Sequence, residues 1–329
     1  MPRPKVLLVS LGGTITMTRD ATGAISPTLS ANDLARSVPG LEAIAEIETV
    51  SPFRLPGASL SIDNLLEVAA LIDRHLDGDT AGAVVVQGTD TIEETAFVLD
   101  LLVHSEKPVV VTGAMRGAEA AGADGPANIL AATTVAVDIR SSQMGTLVVL
   151  NDEVHCARLV QKSHTALPSA FSSPLAGPVG LVAEGATFFQ YRIARRKPLT
   201  PDRSTGDQPV ALITLSLGDD GRILPSLPGL GFRGTVLAGM GAGHVPEKVA
   251  PLVSDLLALM PVVLASRVHT GPVFSKTYGF AGSETDLLAR GIWSAGKLSP
   301  IKARLLLSLL LRGPLDRKDI QDAFQFYAF

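Results

Sequence analysis

The chain carries a single cysteine, Cys156, so no internal disulfide can form and no C-x-x-C zinc pattern exists. Its histidines (His75, His104, His155, His164, His244 and His269) show neither H-E-x-x-H nor another paired spacing of metal ligands. Each reads as a surface or packed residue, and no metal is expected. Charge is also scarce: 18% of residues are charged, the net charge is -4 and the pI is near 5.9. That balance gives no electrostatic case for binding nucleic acid or an anionic membrane. Long apolar runs are missing as well. The most apolar late stretch, Leu305 to Leu311, is far too short to span a bilayer. The N-terminal MPRPKVLLVSLGG runs directly into glycines without a cleavage-site pattern and reads as a first strand. A soluble, cytoplasmic protein is the expectation.

What is present fits a compact globular chain, with 46% hydrophobic residues and a mean hydropathy of +0.31. Its 329 residues suit two domains or one large α/β unit. Short apolar runs predict strands at Val6–Ser10, Ala83–Val86, Val109–Thr112 and Leu147–Leu150, with helices near 60–76, 92–104 and 125–139. Strands that are apolar throughout and separated by helices imply a parallel sheet covered on both faces. Asp124-Gly125-Pro126 offers an N-cap ahead of a first-turn proline. The charged, proline-bearing stretch 192–209 reads as a linker between residues 1–191 and a smaller α/β domain at 210–329. Strands return there at Ala211–Leu215, Thr235–Ala238 and Val262–Ala265. The late helix starts at Ser299-Pro300, stops by Gly313 and is apolar on most sides, which predicts that it is sandwiched.

Ligands of open parallel sheets bind beyond the carboxyl ends of the strands, so the residues just after each strand are the candidates. After the first strand comes SLGGTIT, where Gly12 and Gly13 permit tight turning ahead of Thr14. A plain β-turn and a functional threonine are equally open there. Pyrophosphate binding is disfavoured because G-x-G-x-x-G is absent. The following stretch reads as a loop; Thr22, Gly23 and Ser26 suit a mobile lid as well as an ordinary exposed segment. After the second strand comes GTDT, residues 88–91. Thr91 and Glu94 match a capping box, which leaves Thr89 and Asp90 unexplained. In the third loop, an ion pair between Arg116 and Asp124 accounts for both residues. In the fourth, Lys162 lies in a polar run, where a lone lysine is usually solvated.

A threonine hydroxyl is a poor nucleophile until a base takes its proton, and a lysine in a partly dry site can serve. Thr14, Thr89, Asp90 and Lys162 supply nucleophile, base and orienter for attack on an amide or ester carbonyl, with backbone N–H groups of the glycine turns as oxyanion donors.

LGGTI (11–15) and GTDTIEETA (88–96) resemble the two threonine signatures of bacterial-type L-asparaginases. TGAMR with DGPANI (112–129), the Lys162 segment, SRVHTGPV (266–273) and the tail around SPIKARLLL (299–307) extend the likeness over essentially the whole chain. The resemblance implies a large N-terminal flavodoxin-like domain and a smaller C-terminal one, no metal or organic cofactor, and a homodimer, usually paired into a homotetramer, with shared sites. It implies hydrolysis of L-asparagine to L-aspartate and ammonia. Thr14 matches the nucleophile, and Thr89, Asp90 and Lys162 match the second cluster. Asp90, Ser59, Gly88 and Glu284 would bind substrate, with Glu284 lent to a neighbouring subunit. Three features depart from the pattern: no tyrosine occurs in 15–35, Gly57 and Ala58 stand where a serine is expected, and Gln87 replaces a histidine before GTD. An amidase acting on glutamine or another small amide, and a catalytically weak ligand-binding homologue, are the alternatives.

Overall fold

The computed structural model describes residues 2–13, 15, 17–19, 25–27 and 29–328. Two compact units divide the chain, Met1–Pro198 and Leu199–Phe329. The first is built on an eight-stranded sheet. Five strands run parallel: β1 (Lys5–Ser10), β2 (Glu46–Val50), β3 (Thr80–Val86), β4 (Val109–Thr112) and β5 (Thr146–Leu150). Three more extend the sheet antiparallel: β6 (Glu153–Cys156), β7 (Gly180–Ala183) and β8 (Ala186–Phe189). The spatial order is β8-β7-β6-β5-β4-β3-β1-β2.

The inner parallel strands form because their Val, Leu and Ala runs can be buried on both faces. On one face Val6, Leu8, Val84, Val110 and Leu147 join the core under helix Gly125–Val137. Side chains alternate along a strand, so Leu7, Val9, Val85 and Val111, all fully buried, point the other way. Helices α1 (Ile62–Leu76) and α2 (Ile92–Leu102) pack on β3 and on β4 and β5, respectively; Gly125–Val137 is α3. Ser61 starts α1 with a capping box, accepting from Asn64 N while the Asn64 side chain takes Ser61 N.

The expected loop after Thr14 is partly a ribbon. Met17–Arg19 pairs antiparallel with Ile25–Pro27, which contains Ser26, while Thr22 and Gly23 lie outside the described residues.

The second unit holds four parallel strands in the order β9 (Val210–Thr214), β10 (Gly234–Gly239), β11 (Val262–Ser266), β12 (Trp293–Ser294). Helix α4 (Ala250–Leu257) contributes Val253 and Leu256 to a core with Leu237 and Leu264. Helix α5 (Pro300–Leu310) packs on β9, β10 and β11, and α6 (Arg317–Ala328) packs on α5. Ser299 caps α5 by accepting from Lys302 N, with Pro300 in the first turn. The predicted sandwiching holds: α5 is buried nearly all round, Lys302 included.

Candidate active site at the strand ends

The turn that follows β1 is shaped by two glycines in the left-handed region, Gly12 at φ 107° and Gly13 at φ 91°. A β-carbon on Gly13 would fall 2.0 Å from Gly88 N, so the turns after β1 and β3 touch main chain to main chain. Leu11 also donates its N–H to Val86 O and accepts one from Leu55, which draws residues 54–57 into the same floor. Thr14, one residue beyond Gly13, lies outside the described residues.

Beyond Gly88, residues Thr89–Thr91 make one 3-10 turn that leads into α2. This turn leaves Thr89 buried and Asp90 exposed. Lys162 arrives from a two-stranded ribbon, Gln161–Lys162 paired with Phe171–Ser172. Lys162 Nζ donates to Thr89 Oγ1 at 3.0 Å and to Asp90 Oδ1 at 2.8 Å. The lysine side chain is 17% exposed against 71% for Asp90. Water therefore screens the ion pair more than the hydroxyl contact, and the pair adds little to stability. As an ammonium, Lys162 has three donors and no acceptor. Thr89 Oγ must then accept from it and direct its own O–H elsewhere, which is the geometry of a polarised hydroxyl. Lys162 is thus not the solvated surface lysine of the simpler reading.

The capping box expected of Thr91 does not form, because the Thr91 side chain caps nothing in α2. Its Oγ1 instead donates to Gly57 O and accepts from Gln87 Nε2, each at 3.1 Å. Gln87 is 1% exposed and shares Nε2 with Gly88 O at 3.2 Å. Gln87 Oε1 finds no hydrogen-bond partner among the described residues. Gly57 is explained by the same contact: a β-carbon there would lie 3.0 Å from Gly88 O and 3.1 Å from Thr91 Oγ1. The 3-10 turn Gly57–Ser59 thereby packs on the 89–91 turn, with Ser59 exposed at its end.

Two expectations about the third loop change. Asp124 occupies the N-cap position of α3 but caps no N–H of that helix. Its carboxylate turns back to accept from Met115 N at 3.0 Å, Arg116 N at 2.8 Å and Asn128 Nδ2 at 3.2 Å. The Arg116 guanidinium donates to Gly122 O, so the pairing with Asp124 runs through the backbone.

Glu284, in the second unit, is fully buried. Burial pushes its carboxyl up, but the N–H groups of Tyr278 and Thr277, together with His244, outweigh that and hold it below the usual carboxylate range. Tyr278 and Phe280 meet the His244 ring edge-on and remain 42% and 51% exposed.

A separate cavity of about 630 Å³ is lined by residues 192–198 with His104, Glu106 and Gln143, and includes none of the residues above. Its Arg192 and Arg195 guanidiniums donate to backbone carbonyls.

Comparison with known proteins bears on the whole chain. A family model described as asparaginase, N-terminal, matches residues 5–195, and one described as glutaminase/asparaginase C-terminal domain matches residues 209–324. A probable L-asparaginase of Deinococcus radiodurans is 36% identical over 98% of this chain and 97% of its own length. The glutaminase-asparaginase of Pseudomonas aeruginosa is 31% identical over 98% of this chain and 90% of its own. Among solved structures, the probable cytoplasmic L-asparaginase of Campylobacter jejuni superposes with a TM-score of 0.88 at 33% identity, covering 98% of this chain and 99% of that one.

Proposed function

The chain belongs to the asparaginase family, and from that premise we propose that it cleaves L-asparagine to L-aspartate and ammonia through a threonine acyl-enzyme. The Thr14 hydroxyl adds to the side-chain amide carbon, and the C–N bond breaks. Nitrogen leaves as ammonia with the hydroxyl proton, and water then hydrolyses the ester, freeing aspartate and restoring the hydroxyl. Thr89, polarised by Lys162, carries protons to and from the reacting centre. Asp90 receives the substrate α-ammonium and the Ser59 turn its carboxylate. N–H groups around Gly88 serve the oxyanion.

The single observation that carries this reading is the 3.0 Å contact of Lys162 Nζ with Thr89 Oγ1. It joins residues 73 positions apart at the carboxyl end of a parallel sheet, next to the turn that leads into Thr14. Glutamine is the second substrate to test, because the Pseudomonas aeruginosa relative is named a glutaminase-asparaginase. Ammonia release from asparagine, glutamine and simple amides ranks the substrates. Thr89→Val is expected to abolish turnover while the protein still folds; near-normal turnover removes Thr89 from the mechanism.

The assembly proposed is a homodimer or homotetramer in which Glu284 serves a neighbouring subunit's site. The exposed Tyr278 and Phe280 beside this residue support a subunit interface there, which the solution mass tests; the carboxylate itself, buried in its own chain, has to be uncovered to reach a neighbour's site. The compartment proposed is the cytoplasm, as in the name of the Campylobacter jejuni protein, although a Haemophilus influenzae relative is named periplasmic. Among the described residues no helix is long and apolar enough to cross a membrane.

A further inference from the structure

Gln87 is not one of the groups that the proposed chemistry uses, yet it is buried at the end of β3, directly before Gly88 and Thr89. Its backbone N–H is fixed by Thr112 O at 3.1 Å. Both protons of its amide nitrogen are spent, one on Gly88 O and one on Thr91 Oγ1. The hydroxyl passes the connection on to Gly57 O. A flipped amide would set Oε1 against the Gly88 carbonyl oxygen, so the hydrogen bonds themselves fix the orientation. The relay Gln87–Thr91–Gly57 is therefore a directed chain from the end of β3, which leads into Thr89 and Asp90, to the turn carrying Ser59.

We propose that Gln87 is a positioning residue that sets the separation of the Ser59 turn from the Thr89-Asp90 turn, and through it the length of amide substrate the site accepts. This rests on the reading in which those two turns hold the two ends of an amino-acid amide. With both ends held, the distance between the grips decides where the side-chain amide falls relative to the nucleophile. Asparagine and glutamine differ by one methylene, so a small change of that distance re-ranks them. Lys162 is anchored separately, through its own ribbon, and its contact with Thr89 Oγ1 involves no atom of Gln87.

The test is steady-state kinetics on asparagine and glutamine for wild type, Gln87→Met, Thr91→Val, the double variant and Thr91→Ser. Gln87→Met keeps the length of the side chain and removes the donor. It is expected to raise KM for asparagine by about tenfold, to change kcat by less than about threefold, and to shift the asparagine-to-glutamine ratio. Thr91→Val should reproduce this, Thr91→Ser should restore wild-type values, and the double variant should be no worse than either single one. Unchanged KM and ratio in both Gln87→Met and Thr91→Val overturn the proposal. So do additive effects in the double variant, or a loss confined to kcat. If Gln87→Met does not fold, the Val and Ser variants at position 91 decide alone. Wild type that hydrolyses no amide, or Thr89→Val that stays active, instead sinks the functional reading on which the proposal rests.

Discussion

Strands β1, β3, β4 and β5 bury their apolar side chains on both faces, whereas β7 and β8 of the same sheet leave Leu181 and Phe188 39% and 50% exposed. The parallel half supplies Gly13, Thr89 and Asp90 from the ends of strands clamped between helices. Lys162 comes from the ribbon beyond β6, where Val160, Ala170 and Phe171 are buried and hydrogen bonds add to the hold. Lys162 N donates to Glu93 Oε1 at 3.4 Å, and Ser173, next to the paired strand, bonds His155 Nδ1 at 3.0 Å. One partner of the 3.0 Å Lys162–Thr89 contact thus stands at the end of a strand covered on both faces, and the other on a short ribbon that combines apolar burial with a few hydrogen bonds.

The largest effect expected tests the point where the halves meet. Lys162→Met should lower kcat for asparagine by about 10²–10⁴ while leaving the melting temperature near that of wild type. A drop below tenfold would separate the lysine from catalysis. Next comes Gly13→Ala, which places a β-carbon 2.0 Å from Gly88 N at φ 91°. A destabilisation of roughly 4 kcal/mol in chemical denaturation is expected, and a cost under ~1 kcal/mol would show that the two turns can part.

The antiparallel half should reveal itself through acid. Burial pulls His155 down to about 4, so the folded protein keeps this imidazole neutral well below the ordinary value of 6.5. Between those values the unfolded chain binds the extra proton, so the contribution is whole above pH 6.5 and fades as pH falls toward 4. The loss reaches about 3 kcal/mol at most, and His155→Gln should remove that share of the pH dependence. Identical acid profiles for the two proteins would locate the sensitivity elsewhere. The smallest effect is Leu181→Ser, expected at about 1 kcal/mol because β7 leaves 39% of this residue in water. A cost above ~2 kcal/mol would mean that this face is covered in the protein as it exists in solution.

The same contrast decided what could be read from the sequence. The runs KVLLVS, AVVV and VVVT declare themselves because a strand buried on both sides has no polar positions to disguise it; β4 lies at Val109–Thr112 as read, and β1, β3 and β5 differ by a few terminal residues. The parallel strand β2 escapes the sequence reading because EIETV, at the sheet edge, alternates polar and apolar residues; β6, β7 and β8 escape it because each has four residues and half of the positions of β7 and β8 face water. A signal was available. Asn151-Asp152 and Glu184-Gly185 are two-residue links whose φ values are all positive, the geometry of tight hairpin turns. At the site, the residue types at strand ends pointed to Thr89, Asp90 and Lys162 as companions, and they are in contact. What the sequence could not reveal was the relay through Gln87, since it depends on Gly57, 30 positions upstream of it, arriving beside Thr91. The S/T-x-x-E pattern points Thr91 toward its own helix, but the Gly57 carbonyl of the turn packed beside it holds it instead.

Where Gly13 meets Gly88, no side chain intervenes, so the spacing between the first threonine's turn and the second's is written in peptide units alone. Substitutions around the floor can alter what lies above it, but they cannot slide one turn past the other without lifting the main chains apart. For anyone redesigning the substrate range of this chain, the floor is a fixed datum. The adjustable parts are the rim positions, such as Ser59, and the tie that holds them to it.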